Sequence, residues 1–283
     1  MSYLTQTLQT EAGHQIVARV FPPATDSRAV VIVASATGVA QSHYEDFAHW
    51  LAEQGYTAVT FDYDGIGLSI DGHVRNSRAT MLSWARYDCP AVLDFVEARF
   101  PGQRRVWIGH SVGGHLLGMM DSTDRIDQAI TVAAGTGYWW HNSPPTKRIA
   151  WLLWYGLVPT VVPLAGYFPG RRLNIMCDLP KGVMMQWRKW CLHPQYAVGV
   201  EGEVLERRFA SVQTPITALA FSDDEMMSAR NIETLHGFFT AAPKKMLTVR
   251  PDDIGCRRIG HIGWHKARYR ALWEQVFREE LAA

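Results

Sequence analysis

The chain has 283 residues, 47% of them apolar and 19% charged, which is enough for one large core and is the balance of an ordinary globular protein. A formal charge of +1 excludes a strongly basic nucleic-acid binder as the default reading. The opening residues, MSYLTQTLQT, carry neither a basic n-region nor an apolar h-region, so a cytoplasmic protein without a secretory leader is expected. Cysteines at 89, 177, 191 and 256 show no C-x-x-C or Cys/His zinc spacing. Reduced thiols, no metal and no cofactor follow as expectations.

In chain order, residues 4–11 and 15–22 are close enough to form an antiparallel hairpin. Segments 16–21, 29–35, 57–63, 105–109 and 129–134 are short, β-branched and bounded by Gly, Pro or Asp, so they read as strands. Between them, 44–54 and 78–100 carry apolar residues at three- and four-residue spacing and read as helices. That alternation predicts an α/β fold with a largely parallel sheet covered on both faces. The rhythm stops after residue 135. It returns with a strand at 216–221, a helix at 230–240, a strand at 246–250 and a final helix at 267–281. The expected organisation is a core of residues 1–135 and 203–283, with residues 136–202 inserted.

Residues 105–114 read Arg-Val-Trp-Ile-Gly-His-Ser-Val-Gly-Gly. An apolar strand runs into Gly109-His110-Ser111-Val112-Gly113 and then into a helix, the pattern of a nucleophile elbow. The turn is tight enough to demand small neighbours two residues on either side of Ser111. It lifts the hydroxyl above the sheet at a helix N-terminus, where negative charge is favoured. Such an elbow needs an acid and then a histidine further along the chain. The strand 216–221 ends in Ser222-Asp223-Asp224-Glu225, and Asp224 is preferred to Asp223 on spacing. The Gly-flanked loop Ile259-Gly260-His261-Ile262-Gly263 supplies His261 as general base. His265 is expected at the surface, and His110 and His115 as packing or hydrogen-bonding groups. Two backbone N–H donors must face the developing oxyanion: Val112, and either Thr37 or Ala36, with Thr37 preferred.

With these residues in place, the sequence resembles the α/β-hydrolase superfamily. Asp62-Tyr63-Asp64-Gly65-Ile66-Gly67-Leu68-Ser69 is similar to the D-x-R-G-x-G-x-S loop of many members. The likeness is greatest to bacterial predicted hydrolases near the serine aminopeptidase and monoacylglycerol-lipase-like enzymes. Two departures stand out: Asp64 replaces the usual Arg, and Ser35-Ala36 replaces the usual His-Gly. The resemblance implies the α/β-hydrolase fold with a helical cap, and hydrolysis of an ester, thioester or amide. An acyltransferase using the same residues and a silent binding protein on this fold are the alternatives.

Six of eleven tryptophans fall between 139 and 190, and Trp139, Trp140, Trp151 and Trp154 are candidate substrate-binding residues. Residues 149–168 carry no charge and could span a bilayer by length. A crossing there would separate Ser111 from Asp224 and His261. Gly156, Pro159, Pro163 and Gly166 are expected to break the run into short cap helices. Seven Lys or Arg face one acid, Asp178, between 136 and 200. The expected partner is a small acyl ester or thioester, with peripheral membrane contact through this basic, Trp-rich insertion as a further expectation.

Overall fold

The computed structural model describes residues 3–282. β1 (Leu4–Gln9) and β2 (Gln15–Phe21) form the expected antiparallel hairpin, and β2 also runs antiparallel to β4 (Thr57–Asp62). From there the sheet is parallel through β3 (Val30–Ala34), β5 (Arg105–His110), β6 (Gln128–Val132), β9 (Ile216–Phe221) and β10 (Lys244–Val249). The strand order is β1-β2-β4-β3-β5-β6-β9-β10. A two-residue ladder, β7 (Tyr167–Phe168) with β8 (Leu179–Pro180), stands apart from the sheet.

β3 shows why the central strands are uninterrupted apolar runs. Val30, Ile32 and Ala34 enter the core on one face, and Val31 and Val33 enter the core on the other. Both faces are covered by helices, so no polar alternation is possible. One cover is aromatic: Phe47 of the helix Glu45–Glu53 lies 4.9 Å from Phe277 and 5.3 Å from Trp273. The other holds Trp84, Val92, Leu116 and Phe209. The helix Glu203–Ser211 closes this side, with Arg208 donating to the Met119 carbonyl at 3.1 Å. Loops leaving the C-terminal ends of β3, β5, β9 and β10 therefore gather along one edge, where open α/β sheets place their sites.

The Asp62–Ser69 loop is anchored despite lacking its usual arginine. Asp62 accepts from the backbone and side-chain nitrogens of Gln41 at 2.7 and 2.9 Å and from Leu68 N at 2.9 Å. Asp64 contributes its backbone: its N–H donates to Asp88 Oδ2 at 2.8 Å. The partner comes from elsewhere: His14 of the β1–β2 turn reaches Asp88 Oδ1 at 2.7 Å. That hydrogen bond holds the His14 pKa above its usual value, and burial raises that of Asp88.

The insertion corrects one expectation. Gly156, Pro159 and Pro163 do not break the run; Pro144–Ala165 is a single helix of 22 residues. Residues Leu152–Leu157 wind as a π-helix, which loosens the turn ahead of Pro159. Pro159 has no N–H to give, and the Trp154 carbonyl five residues back accepts Arg188 Nε at 2.6 Å instead. Gly166, in the left-handed region at φ 78°, does end the helix. By length and composition this helix could cross a membrane. Its ends, however, lead to β6 and β9, which pair in one sheet.

Candidate active site

Four loops build the site. At the end of β5 the chain turns through Ser111, whose backbone lies at φ 51° and ψ −114°. Ser111 N still donates to the Val132 carbonyl at 2.9 Å, so the sheet holds one side of the strained residue. Gly109 and Gly113 are small for a steric reason. A Cβ on Gly109 would strike the Gly113 carbonyl, and one on Gly113 would strike the Ala34 carbonyl.

His261 Nε2 lies 3.2 Å from Ser111 Oγ, and His261 Nδ1 lies 2.8 Å from Asp224 Oδ2. Both His261 and Asp224 are buried. The structure thus brings Ser111, His261 and Asp224 together in one hydrogen-bonded row. The other Asp224 oxygen accepts from Met226 N and Met227 N, each at 2.8 Å. With Oδ1 held by two backbone N–H groups, Asp224 turns Oδ2 to imidazole Nδ1 as an ordered acceptor. That leaves Nε2 to take a proton from the serine.

The neighbouring acids have work that the sequence reading did not foresee. Asp223 accepts from Ile259 N at 2.8 Å and from Gly260 N at 3.2 Å. Glu225 accepts from His261 N at 3.0 Å and pairs with Arg258 at 3.2 Å. Three consecutive acids therefore grip the histidine loop, one by the ring and two by the backbone. The signal was the run of three carboxylates, Asp223, Asp224 and Glu225, directly past a strand end.

The loop after β3 resolves the choice between Ala36 and Thr37 as the free backbone donor. Ala36 N–H is occupied, donating to Tyr44 Oη at 2.9 Å. Neither Thr37 N nor Val112 N has an acceptor among the described residues. Tyr44 Oη also lies 2.6 Å from His110 Nδ1, and His110 Nε2 lies 3.0 Å from the His261 carbonyl. Because a carbonyl only accepts, His110 carries its proton on Nε2, and Tyr44 donates to Nδ1. Burial pushes the His110 pKa well below its usual value, so the ring is neutral. A buried chain, Ala36–Tyr44–His110–His261, thereby ties the loop after β3 to the histidine loop. Tyr44→Phe strands Ala36 N–H and His110 Nδ1, and a loss of about 1–3 kcal/mol is expected in urea unfolding.

His265 corrects a second expectation. It is wholly buried, not superficial, and its ring packs 4.6 Å from that of Tyr44. Burial drives its pKa down to about 3. His115 is buried as well, donating from Nε2 to the Gly135 carbonyl at 2.9 Å.

A cleft of about 280 Å³ opens over Ser111 and His261, bordered by Thr37, Arg171 and Cys177. It shares Met176, Trp187 and Met226 with a second, almost wholly apolar cavity of about 480 Å³. Trp154 alone of the four candidate tryptophans lines that cavity. Every fourth residue of the long helix, Ala150, Trp154, Val158 and Val162, turns inward. Trp151 stands one step off that stripe, and Trp151 and Trp140 are 54% and 53% exposed. Trp139 is half-buried, packed edge-on at 5.0 Å from Trp140.

Comparison with known proteins agrees with this architecture. No curated protein sequence matches the chain. Among solved structures, an esterase of Pyrococcus furiosus is similar over 99% of this chain and 91% of its own, with TM-score 0.66 at 11% identity. A carboxyl esterase of Bacillus coagulans is similar over 100% and 98%, with TM-score 0.63 at 14% identity. The esterase domain of a Rhodothermus marinus protein is similar over 99% and 98%, with TM-score 0.60 at 18% identity. At these identities the likeness is one of fold. The family model described as Serine aminopeptidase, S33 matches residues 25–178, more than half of the chain and including the serine elbow. The chain therefore belongs to the serine aminopeptidase (S33) family of α/β hydrolases.

Proposed function

We propose that the protein is a serine hydrolase cleaving a carboxylic ester or thioester with an apolar acyl group, through an acyl-serine intermediate. The observation that carries this reading is the Ser111–His261–Asp224 row opening onto a cleft that adjoins an apolar cavity. Ser111 Oγ attacks the carbonyl carbon while His261 Nε2 takes its proton, and Asp224 steadies the imidazolium. Thr37 N–H and Val112 N–H receive the oxyanion. The tetrahedral adduct collapses as His261 returns the proton to the leaving oxygen or sulfur. Water, deprotonated by His261, then attacks the acyl-serine, and His261 passes that proton to Ser111 Oγ as the acid leaves.

An ester is favoured over an N-terminal peptide by the cleft's charge. Its lining among the described residues includes Arg171 but no Asp or Glu. A substrate ammonium would meet a cation there with no carboxylate to hold it. The apolar cavity, bounded by Leu153, Leu157 and Trp154, suits a hydrocarbon tail.

The test is a series of p-nitrophenyl esters of increasing chain length. Each added methylene that enters the cavity should raise kcat/KM by up to about fourfold, the equivalent of burying one CH₂. Ala150→Phe, which fills the cavity, should move the optimum to shorter chains. A profile that peaks at acetate and ignores Ala150→Phe contradicts the apolar acyl assignment.

A further inference from the structure

The outward side of the helix Pro144–Ala165 has no counterpart in the hydrolytic chemistry. A helix lying on a protein body normally turns charged and polar residues to water. Here the side opposite Ala150, Trp154 and Val158 carries Ile149, Trp151, Leu152 and Tyr155, which are 65%, 54%, 56% and 57% exposed. Leu164 near the helix end is 84% exposed. So much adjoining apolar surface marks a contact site.

Charge decides what covers it. Arg148 lies on the same side of the helix and is exposed, and Lys147 sits 4.3 Å over the ring of Trp140. Arg171 and Arg172 are exposed in the segment leading to Ile175, which borders the apolar cavity. A second copy of the chain would bring the same cations against these in a symmetric interface. An anionic bilayer neutralises them, and exposed Trp and Tyr flanked by Lys and Arg suit its headgroup boundary.

The cavity opens on this same surface. Ile149, Leu152 and Ile175 line it while remaining 65%, 56% and 48% exposed. We infer that the outer side of Pro144–Ala165 docks flat on an anionic bilayer and sets the cavity mouth at the acyl layer. An acyl chain then passes from lipid to Ser111 without crossing water. This rests on the esterase reading for its purpose, though the docking itself does not require turnover.

The experiment is flotation with phosphatidylcholine vesicles, with and without phosphatidylglycerol, at low and high salt. Wild-type protein should float with the anionic vesicles, and salt should weaken the association. Trp151→Asp with Leu164→Asp should weaken it by at least about tenfold, since both remove apolar contact and add repulsion. Neither residue lines the cavity, so turnover of a soluble short-chain ester should be unchanged and also reports correct folding. Ser111→Ala should float like wild type; wild-type protein that floats yet turns over no ester overturns the esterase reading and leaves docking intact. Absence of flotation at low salt overturns the inference, as does flotation indifferent to the paired substitution. Sedimentation showing a dimer that the paired substitution dissociates assigns the surface to a second copy instead.

Discussion

Asp224→Asn is expected to lower kcat by about 10⁴ with little change in KM. The amide oxygen can still accept from Met226 N and Met227 N, which the carboxylate holds at 2.8 Å. That leaves the amide NH₂ facing His261 Nδ1. The ring must then accept at Nδ1 and carry its proton on Nε2, pointing at Ser111 Oγ. An Nε2–H cannot receive the serine proton, so the nucleophile is not activated although the fold is intact. Asp223→Asn provides the contrast. Its partners are Ile259 N and Gly260 N, and an amide oxygen keeps one acceptor for them. A loss of no more than about tenfold is expected there, the scale of one weakened hydrogen bond. Steady-state kinetics on one activated ester distinguishes the two, and a larger loss in Asp223→Asn than in Asp224→Asn would reverse the assignment.

The second large effect is acid sensitivity from histidines buried without charge. Burial lowers the pKa to about 3 for His115, about 4 for His236 and about 3 for His265, and well below the usual value for His110. In the unfolded chain each titrates near 6.5. Below that pH the unfolded state binds protons that the native state refuses, so stability falls as pH falls. Each histidine contributes about 1.4 kcal/mol per pH unit down to its folded pKa. Four together approach about 5 kcal/mol per unit, against a whole-domain stability of about 5–15 kcal/mol. His14 works in the opposite direction. Its hydrogen bond to Asp88 raises its pKa, so its contribution is full below 6.5 and is lost as pH rises through the folded value. Asp62, Asp64 and Asp88, whose carboxyl pKa burial raises, also oppose the loss, while the lowered His43 and His141 add to it. The buried histidines set the sign from pH 6.5 downward, before the carboxyls take up protons. Urea unfolding should show steep loss of stability from pH 6.5 to 5, with a shallower slope in His236→Gln. Stability that is flat over this range would contradict the buried, neutral histidines.

Much of this molecule was legible in its sequence because the information was local. Strands such as 105–109 announced themselves as β-branched runs, and all the long strands formed within a residue or two of the expected ends. The elbow was legible because its glycines answer to a steric demand within five residues. What escaped were features decided by distant partners. Pro159 looked like a helix breaker, and only Arg188, on another helix, relieves the carbonyl it strands. His265 looked superficial because nothing near it in sequence reveals the Tyr44 ring that covers it. Ala36 and Thr37 could not be separated until Tyr44 was seen to occupy one N–H. Of the four tryptophans only Trp154 lines the apolar cavity, for a finer reason. A π-helical stretch and a four-residue inward stripe turn Trp151 outward and Trp154 inward, a distinction that composition does not carry.

The most direct test of the account is intact-mass analysis after reaction with a fluorophosphonate, on wild type, Ser111→Ala and His261→Ala. One adduct per wild-type chain is expected, none on Ser111→Ala, and labelling slowed by at least about 10³ in His261→Ala, where no base activates the hydroxyl. A folded wild-type protein that takes up no adduct, or an adduct that persists in Ser111→Ala, would contradict Ser111 as the nucleophile.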